Sequence, residues 1–159
     1  MIDENGFRSN VGIIVVNMFG RLLLARRTGN QNAWQFPQGG IDDNETPEQA
    51  MFRELKEELG VNTTDVKVLA ESKEWLHYRL PTNFQRPDDP DRCIGQKQKW
   101  FLLRLMSSDS AIHLDYSPKP EFDAWKWVTY WFPLKQVIFF KRHVYVKALR
   151  EFAPLVLSA

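Results

Sequence analysis

Residues 39–61 read GGIDDNETPEQAMFRELKEELGV, and no other run constrains this chain as much. Thr46 is a good N-cap. Pro47 falls at the first helical position, where its missing N–H costs nothing, and Gln49 completes a capping box. Gly60 suits the left-handed residue that ends a helix. The pattern predicts a helix over 47–59, roughly 20 Å long at about 1.5 Å per residue. Met51, Phe52, Leu55 and Leu59 recur at helical spacing and form its buried stripe. Glu54, Glu57 and Glu58 are related by steps of three and four and project together from another face.

Glu45 lies just before the cap, where the helix dipole favours an anion. Arg53 precedes Glu57 by one turn and can hold its carboxylate. Carboxylates gathered this way repel each other unless something positive sits between them, and a divalent cation is the simplest candidate. It would share its oxygen ligands with waters and substrate phosphates, and a backbone carbonyl of Gly39 or Gly40 could add one more. Glu-Glu pairs on helices are most often solvated faces, and that is the expectation for Glu54, Glu57 and Glu58 taken alone.

The full spacing changes that expectation. It runs Gly39, five residues, Glu45, seven residues, then Arg-Glu-Leu-x-Glu-Glu-x-Gly-Val, and it resembles the complete signature box of the Nudix hydrolases. The resemblance implies a hydrolase acting on a nucleoside diphosphate linked to another group, with Mg²⁺ or Mn²⁺. It also implies an α/β fold, an α/β/α sandwich around a mixed β-sheet, with Glu54, Glu57 and Glu58 as ligands and Gly39 beside them. The segments AWQFPQGGI (33–41), IGQKQKWFLL (94–103), PEFDAWKWV (120–128) and VIFFKRHVY (137–145) narrow it. They are similar to the bacterial members that convert 5′-triphosphate RNA to 5′-monophosphate RNA, a step that initiates mRNA decay, within a group that includes the dinucleoside polyphosphate hydrolases.

That narrower resemblance implies roles outside the helix. Glu121, alone an ordinary loop acid, matches the place where the group brings a further glutamate to the metal. Sequence leaves Glu54, Glu58 and Glu121 open as the proton acceptor. Arg8, Arg27, Lys97, Lys99 and Lys141 are candidates to neutralise a triphosphate; the resemblance raises Arg8, Arg27 and Lys141. Arg26 and Arg27 alternate on a strand, so one of them points to the cleft. In the pair Phe139-Phe140 one ring is expected to be buried and the other presented; the resemblance favours Phe140 as the ring on which a base stacks. Gln96 is a weaker candidate for reading the terminal nucleotides.

The chain has 159 residues, which favours one domain over 1–159, and 43% of them are hydrophobic, which suits a packed core. With 21 basic and 20 acidic residues the net charge is +1, so bulk charge sets no strong field for duplex nucleic acid. Cys93 is the single cysteine, the N-terminal MIDENGFRSN is unlike a secretion signal, and no apolar run approaches the ~18 residues of a membrane span. The expectation is a cytoplasmic monomer that works away from membranes.

Strands are expected over 11–17, 21–27, 34–36, 65–73, 74–80, 97–106 and 124–130, with a short helix over 133–137 and an amphipathic one over 141–152. The Pro- and Asp-rich stretch 81–95 reads as a long loop. Two rivals to RNA remain. One is a dinucleoside polyphosphate substrate on the same metal helix. The other is a non-catalytic RNA- or nucleotide-binding regulator, against which the clustered acids argue, because a pure binder has no need of them.

Overall fold

The apolar, β-branched run at the N-terminus forms the strand around which everything else is laid down. The computed structural model describes residues 2–85 and 93–157. Strand β1 (Phe7–Val16) is buried on both faces from Val11 onward. Val11, Ile13 and Val15 point to one core, and Ile14 and Val16 to the other. The strand begins four residues before the expected start, because Phe7 to Asn10 gain partners from far along the chain. β1 pairs in parallel with β7 (Gly95–Leu105), from Phe7 opposite Gly95 to Val16 opposite Arg104.

The remaining strands extend the sheet on either side of this pair. β2 (Leu22–Arg27) returns from the turn at Asn17–Gly20, where the Asn17 side chain accepts from the N–H groups of Phe19 and Arg21. β3 (Trp34–Gln35) and β8 (Phe122–Val128) both pair with β2. β5 (Val66–Glu71) and β6 (Leu76–Arg79) both pair with β7. β4 (Gln38–Gly40) was not anticipated. The Gly pair reads as a break, yet it lies antiparallel to β1, with Gly39 opposite Val11. Within the expected loop 81–95, Thr82–Phe84 forms a 3₁₀ turn, while Pro87, Asp88, Asp89, Pro90 and Asp91 lie outside the described residues.

Helix α1 (Pro47–Leu59) covers one face of the sheet. Its ends are those the sequence specifies: Thr46 and Gln49 exchange both hydrogen bonds of the capping box, and Gly60 closes the helix at φ 69°. Ala50, Met51, Leu55 and Leu59 are buried, whereas Phe52 of the expected stripe is only partly so. Helices α2 (Pro133–Gln136) and α3 (Arg142–Val156) cover the other face, with Val144, Tyr145, Ala148, Leu149 and Phe152 buried. Trp100 of β7 anchors this second core: its ring lies over Gly12, where a Cβ would come within 2.5 Å of the indole. The result is the α/β/α sandwich around a mixed sheet. No helix among the described residues is long and apolar enough to cross a membrane.

Candidate active site

The helix α1 places Glu54, Glu57 and Glu58 together: one carboxylate oxygen from each lies within 4.8 Å of the others. Glu54 is 8% exposed and lies against Gly39, where any side chain would overlap its carboxylate. That contact explains why glycine is needed on β4. Of the two glycine carbonyls considered, that of Gly40 accepts from Arg53 at 2.8 Å, so Gly39 remains the candidate ligand.

Arg53 frames the acids. Its guanidinium donates to Glu45 at 2.8 and 3.0 Å, to Glu54 at 2.9 Å and to Glu57 at 3.4 Å. The expected contact with Glu57 is present but is the longest of these. The pairing with Arg53 holds the Glu45 carboxyl below the usual range, and Glu45 in turn accepts the N–H of Asp42. One fork therefore ties the loop before the helix, the end of β4 and the helix itself into a single frame.

Glu58 stands outside that frame. Its Oε2 is buried and without a hydrogen-bond partner among the described residues. Burial, then the charges of Glu54, Glu121 and Glu57, push its pKa up from 4.5 to about 7. Burial also raises Glu54, despite Arg53. A buried acceptor with no donor, among crowded hard oxygens, is the chemistry of a divalent-cation site, and these residues fit one. Glu121 lies outside the tight trio. It enters from the start of β8, close enough for its charge to act on both Glu54 and Glu58, and 3.6 Å from Arg27.

Arg27 links this acidic wall to a cavity of about 660 Å³ that Gln38, Tyr78, Gln96, Phe140 and Lys141 also line. The β2–β8 register slips between Arg26 and Arg27, leaving Asp123 unpaired in the ladder. Arg26 is drawn to Asp123 at 2.8 Å while Arg27 lines the cavity, so only one of the two points inward, as the alternation requires. Lys141 is 8% exposed, and its Nζ donates to Gln38 Oε1 at 3.1 Å. Burial, then the charge of Arg27, push its pKa down to about 8, with Glu121 acting in the opposite sense.

Phe140 lies in the cavity wall against Phe84 and Tyr78, with ring centroids 5.2 and 5.9 Å away. Phe139 is 74% exposed and lies outside it, so neither ring is fully buried. Gln96 Oε1 is buried in the cavity region without a partner among the described residues. Arg8 is exposed on β1 opposite Gln96 and is not part of the cavity lining. Lys97 and Lys99 are engaged elsewhere. Lys97 pairs with Asp3 at 3.0 Å, Lys99 donates to the carbonyls of Ser72 and Lys73, and both lie over the Trp75 ring. Cys93 is a free thiol that donates to the Gly95 carbonyl.

Sequence reasoning missed Gln38, Tyr78 and Phe84 in this cavity. Gln38 was hidden beside the glycine pair, Tyr78 in an ordinary strand alternation, and Phe84 in a segment read only as loop.

The sequence model of the NUDIX domain matches residues 6–156. The chain belongs to the NUDIX domain family. Among its relatives, the RNA pyrophosphohydrolase of Pseudomonas aeruginosa is 58% identical over 158 residues, covering 99% of each chain. That of Shewanella woodyi is 57% identical over 157 residues, covering 99% of this chain and 90% of its own. Solved structures share the fold at lower identity. The Escherichia coli dihydroneopterin triphosphate pyrophosphohydrolase superposes with a TM-score of 0.74 at 19% identity, covering 96% of this chain and 99% of its own. A Caenorhabditis elegans Ap4A hydrolase superposes with a TM-score of 0.70 at 20% identity and the same coverage. Nudix membership makes the chain a hydrolase of phosphoanhydride bonds, a family that uses divalent metal ions.

Proposed function

We infer that this Nudix chain removes pyrophosphate from the 5′-triphosphate end of RNA, leaving 5′-monophosphate RNA that enters mRNA decay. The observation that carries the reading is the 58% identity, over 99% of both chains, to an enzyme named RNA pyrophosphohydrolase. In this reading the whole chain is one catalytic domain, acts as a monomer in the cytoplasm and uses Mg²⁺ or Mn²⁺.

Glu54, Glu57 and Glu58, with Gly39 and Glu121 beside them, would hold the ion. When bound, it neutralises charge on the phosphate oxygens and lowers the pKa of water. Arg53 engages one oxygen of Glu54, and Arg27 lies 3.6 Å from Glu121, so Glu54, Glu58 and Glu121 each keep an oxygen that could take the proton of the attacking water. Water oxygen bonds to the α-phosphorus in line, the α–β anhydride bond breaks, and the electron pair leaves with the pyrophosphate. Arg27 and Lys141 supply positive charge to the phosphate chain, and Arg8 meets the strand at the rim. Phe140 stacks on a base, and Gln96 offers an acceptor to its edge.

The test uses RNA labelled in its 5′-triphosphate, with and without Mg²⁺, and diadenosine tetraphosphate in competition. Metal-dependent conversion to 5′-monophosphate RNA, with the higher kcat/KM for RNA, is expected. A higher kcat/KM for the dinucleotide would reassign the substrate. No metal-dependent release from either would leave a binding protein.

A further inference from the structure

Lys141 presents an unusual arrangement for a buried ammonium: among the described residues its one hydrogen-bond partner is a neutral amide rather than a carboxylate. A buried cation with no carboxylate hydrogen-bonded to it is costly even with Glu121 near enough for its charge to act, unless an anion arrives to meet it. Its position is therefore decided by Gln38. A lysine ammonium only donates, so the atom of Gln38 that faces it has to be the carbonyl oxygen, and the amide nitrogen is turned the other way. There it donates to Tyr78 Oη at 3.1 Å. Tyr78 is 3% exposed, so its ring is fixed by the core around it. Gln38 is itself pinned by the backbone, since β4 pairs with β1 at Gly12.

We propose that Gln38 is a positioning residue: held between Tyr78 and Lys141, its side chain fixes the Lys141 ammonium at the cavity wall, where it receives the phosphate chain of the substrate. Gln38 suits this task because it is uncharged. A carboxylate at the same place would hold Lys141 as firmly but would cancel the charge the phosphate needs. The proposal rests on the reading of the cavity as the seat of a polyphosphate substrate. Gln38 acts through Lys141, so its loss has no further effect once Lys141 is gone.

The experiment is a double-mutant cycle of Gln38→Met and Lys141→Met, read as KM and kcat on 5′-triphosphate RNA, with Tm measured alongside. Lys141→Met is expected to raise KM about tenfold, the order of one charge-assisted hydrogen bond. Gln38→Met is expected to raise it about threefold to tenfold, with kcat within about twofold and an unchanged Tm. The double variant is expected to match Lys141→Met. Tyr78→Phe, which leaves Gln38 in place but removes its second partner, is expected to give a smaller rise that also vanishes in the Lys141→Met background. Multiplicative effects of the two Met substitutions overturn the proposal, as does a KM unmoved by both Gln38→Met and Tyr78→Phe. If Gln38→Met lowers Tm, the cycle with Tyr78→Phe decides. If the wild-type protein leaves triphosphate RNA intact, the substrate reading fails. The same cycle is then read on the Kd for inorganic tripolyphosphate by calorimetry, where non-additivity supports the positioning role and additivity overturns it.

Discussion

The two walls that meet at Arg27 and Glu121 handle charge in opposite ways. On the helix wall, burial and mutual repulsion raise Glu54 and Glu58, the latter to about 7. On the cavity wall, burial and Arg27 push Lys141 down to about 8. Each wall disfavours the charge it carries, and the signs are opposite. A cation bound to a polyphosphate relieves both at once, whereas neither ion alone does. The walls are also braced differently. The acids are framed by a charged fork, Arg53, and the ammonium by a neutral amide, so the first frame spends negative charge while the second spares positive charge.

The contrast can be tested from its strongest consequence downward. Glu57→Gln or Glu58→Gln replaces an anionic oxygen of the proposed metal site by a neutral amide, and the several kcal/mol of transition-state stabilisation lost should reduce kcat by roughly 10³-fold, with the fold intact by circular dichroism. Near-normal turnover in both would show that the acidic wall is not the metal centre. Arg53→Met should lower the stability by roughly 2–4 kcal/mol in chemical denaturation, because Glu45 and Glu54 are left without their partner. Arg53→Lys should recover only part of this, since an ammonium lacks the fork.

On the cavity side, Phe140→Ala should cost about 1–3 kcal/mol of binding, read as a higher KM for triphosphate RNA. Hydrolysis of a base-free polyphosphate should be unchanged. Equal losses on both would mean that the ring shapes the wall and stacks on nothing. The smallest effect is on pH and stability. Glu58 has a folded pKa above its ordinary value, so its stabilising contribution is full below pH 4.5 and is lost as pH rises through about 7. In chelator, Tm should therefore fall between pH 5 and about 7.5, and Mg²⁺ should restore it. Above about 8, Lys141 acts in the reverse sense, so the window closes there. A flat Tm profile for the metal-free protein, unchanged in Glu58→Gln, would remove the crowding argument.

The parts of this molecule that were legible in the sequence are those decided locally. Thr46, Pro47, Gln49 and Gly60 specify both ends of α1, and the spacing of its glutamates follows from the helix alone. The acidic wall was readable because all three acids of its tight trio lie within one turn and a half of helix. The cavity was not, because its lining comes from β2, β3, β4, β6, the turn at Phe84, β7 and the segment before α3. Gln38 and Tyr78 are forty residues apart and meet only after the sheet has formed. Lys97 and Lys99 show the converse: as plausible phosphate ligands by type as Lys141, they are taken up by Trp75, Asp3 and Glu71. β4 was missed for a similar reason, since glycine disfavours strands until a neighbour such as Glu54 requires the space.

The parallel alignment of β1 with β7 bears on how the polypeptide comes to exist at all. Ser9 sits opposite Lys97, so the ladder between the two middle strands of the sheet cannot close until most of the chain has left the ribosome. During synthesis the apolar strip from Val11 to Val16 has only its near neighbours in sequence, β2 and β4, as partners on one side, and its other edge is open to any extended peptide nearby. Refolding from denaturant is therefore expected to be limited by this single distant pairing. Substitutions such as Ile13→Val or Leu102→Ala should slow folding more than they hasten unfolding.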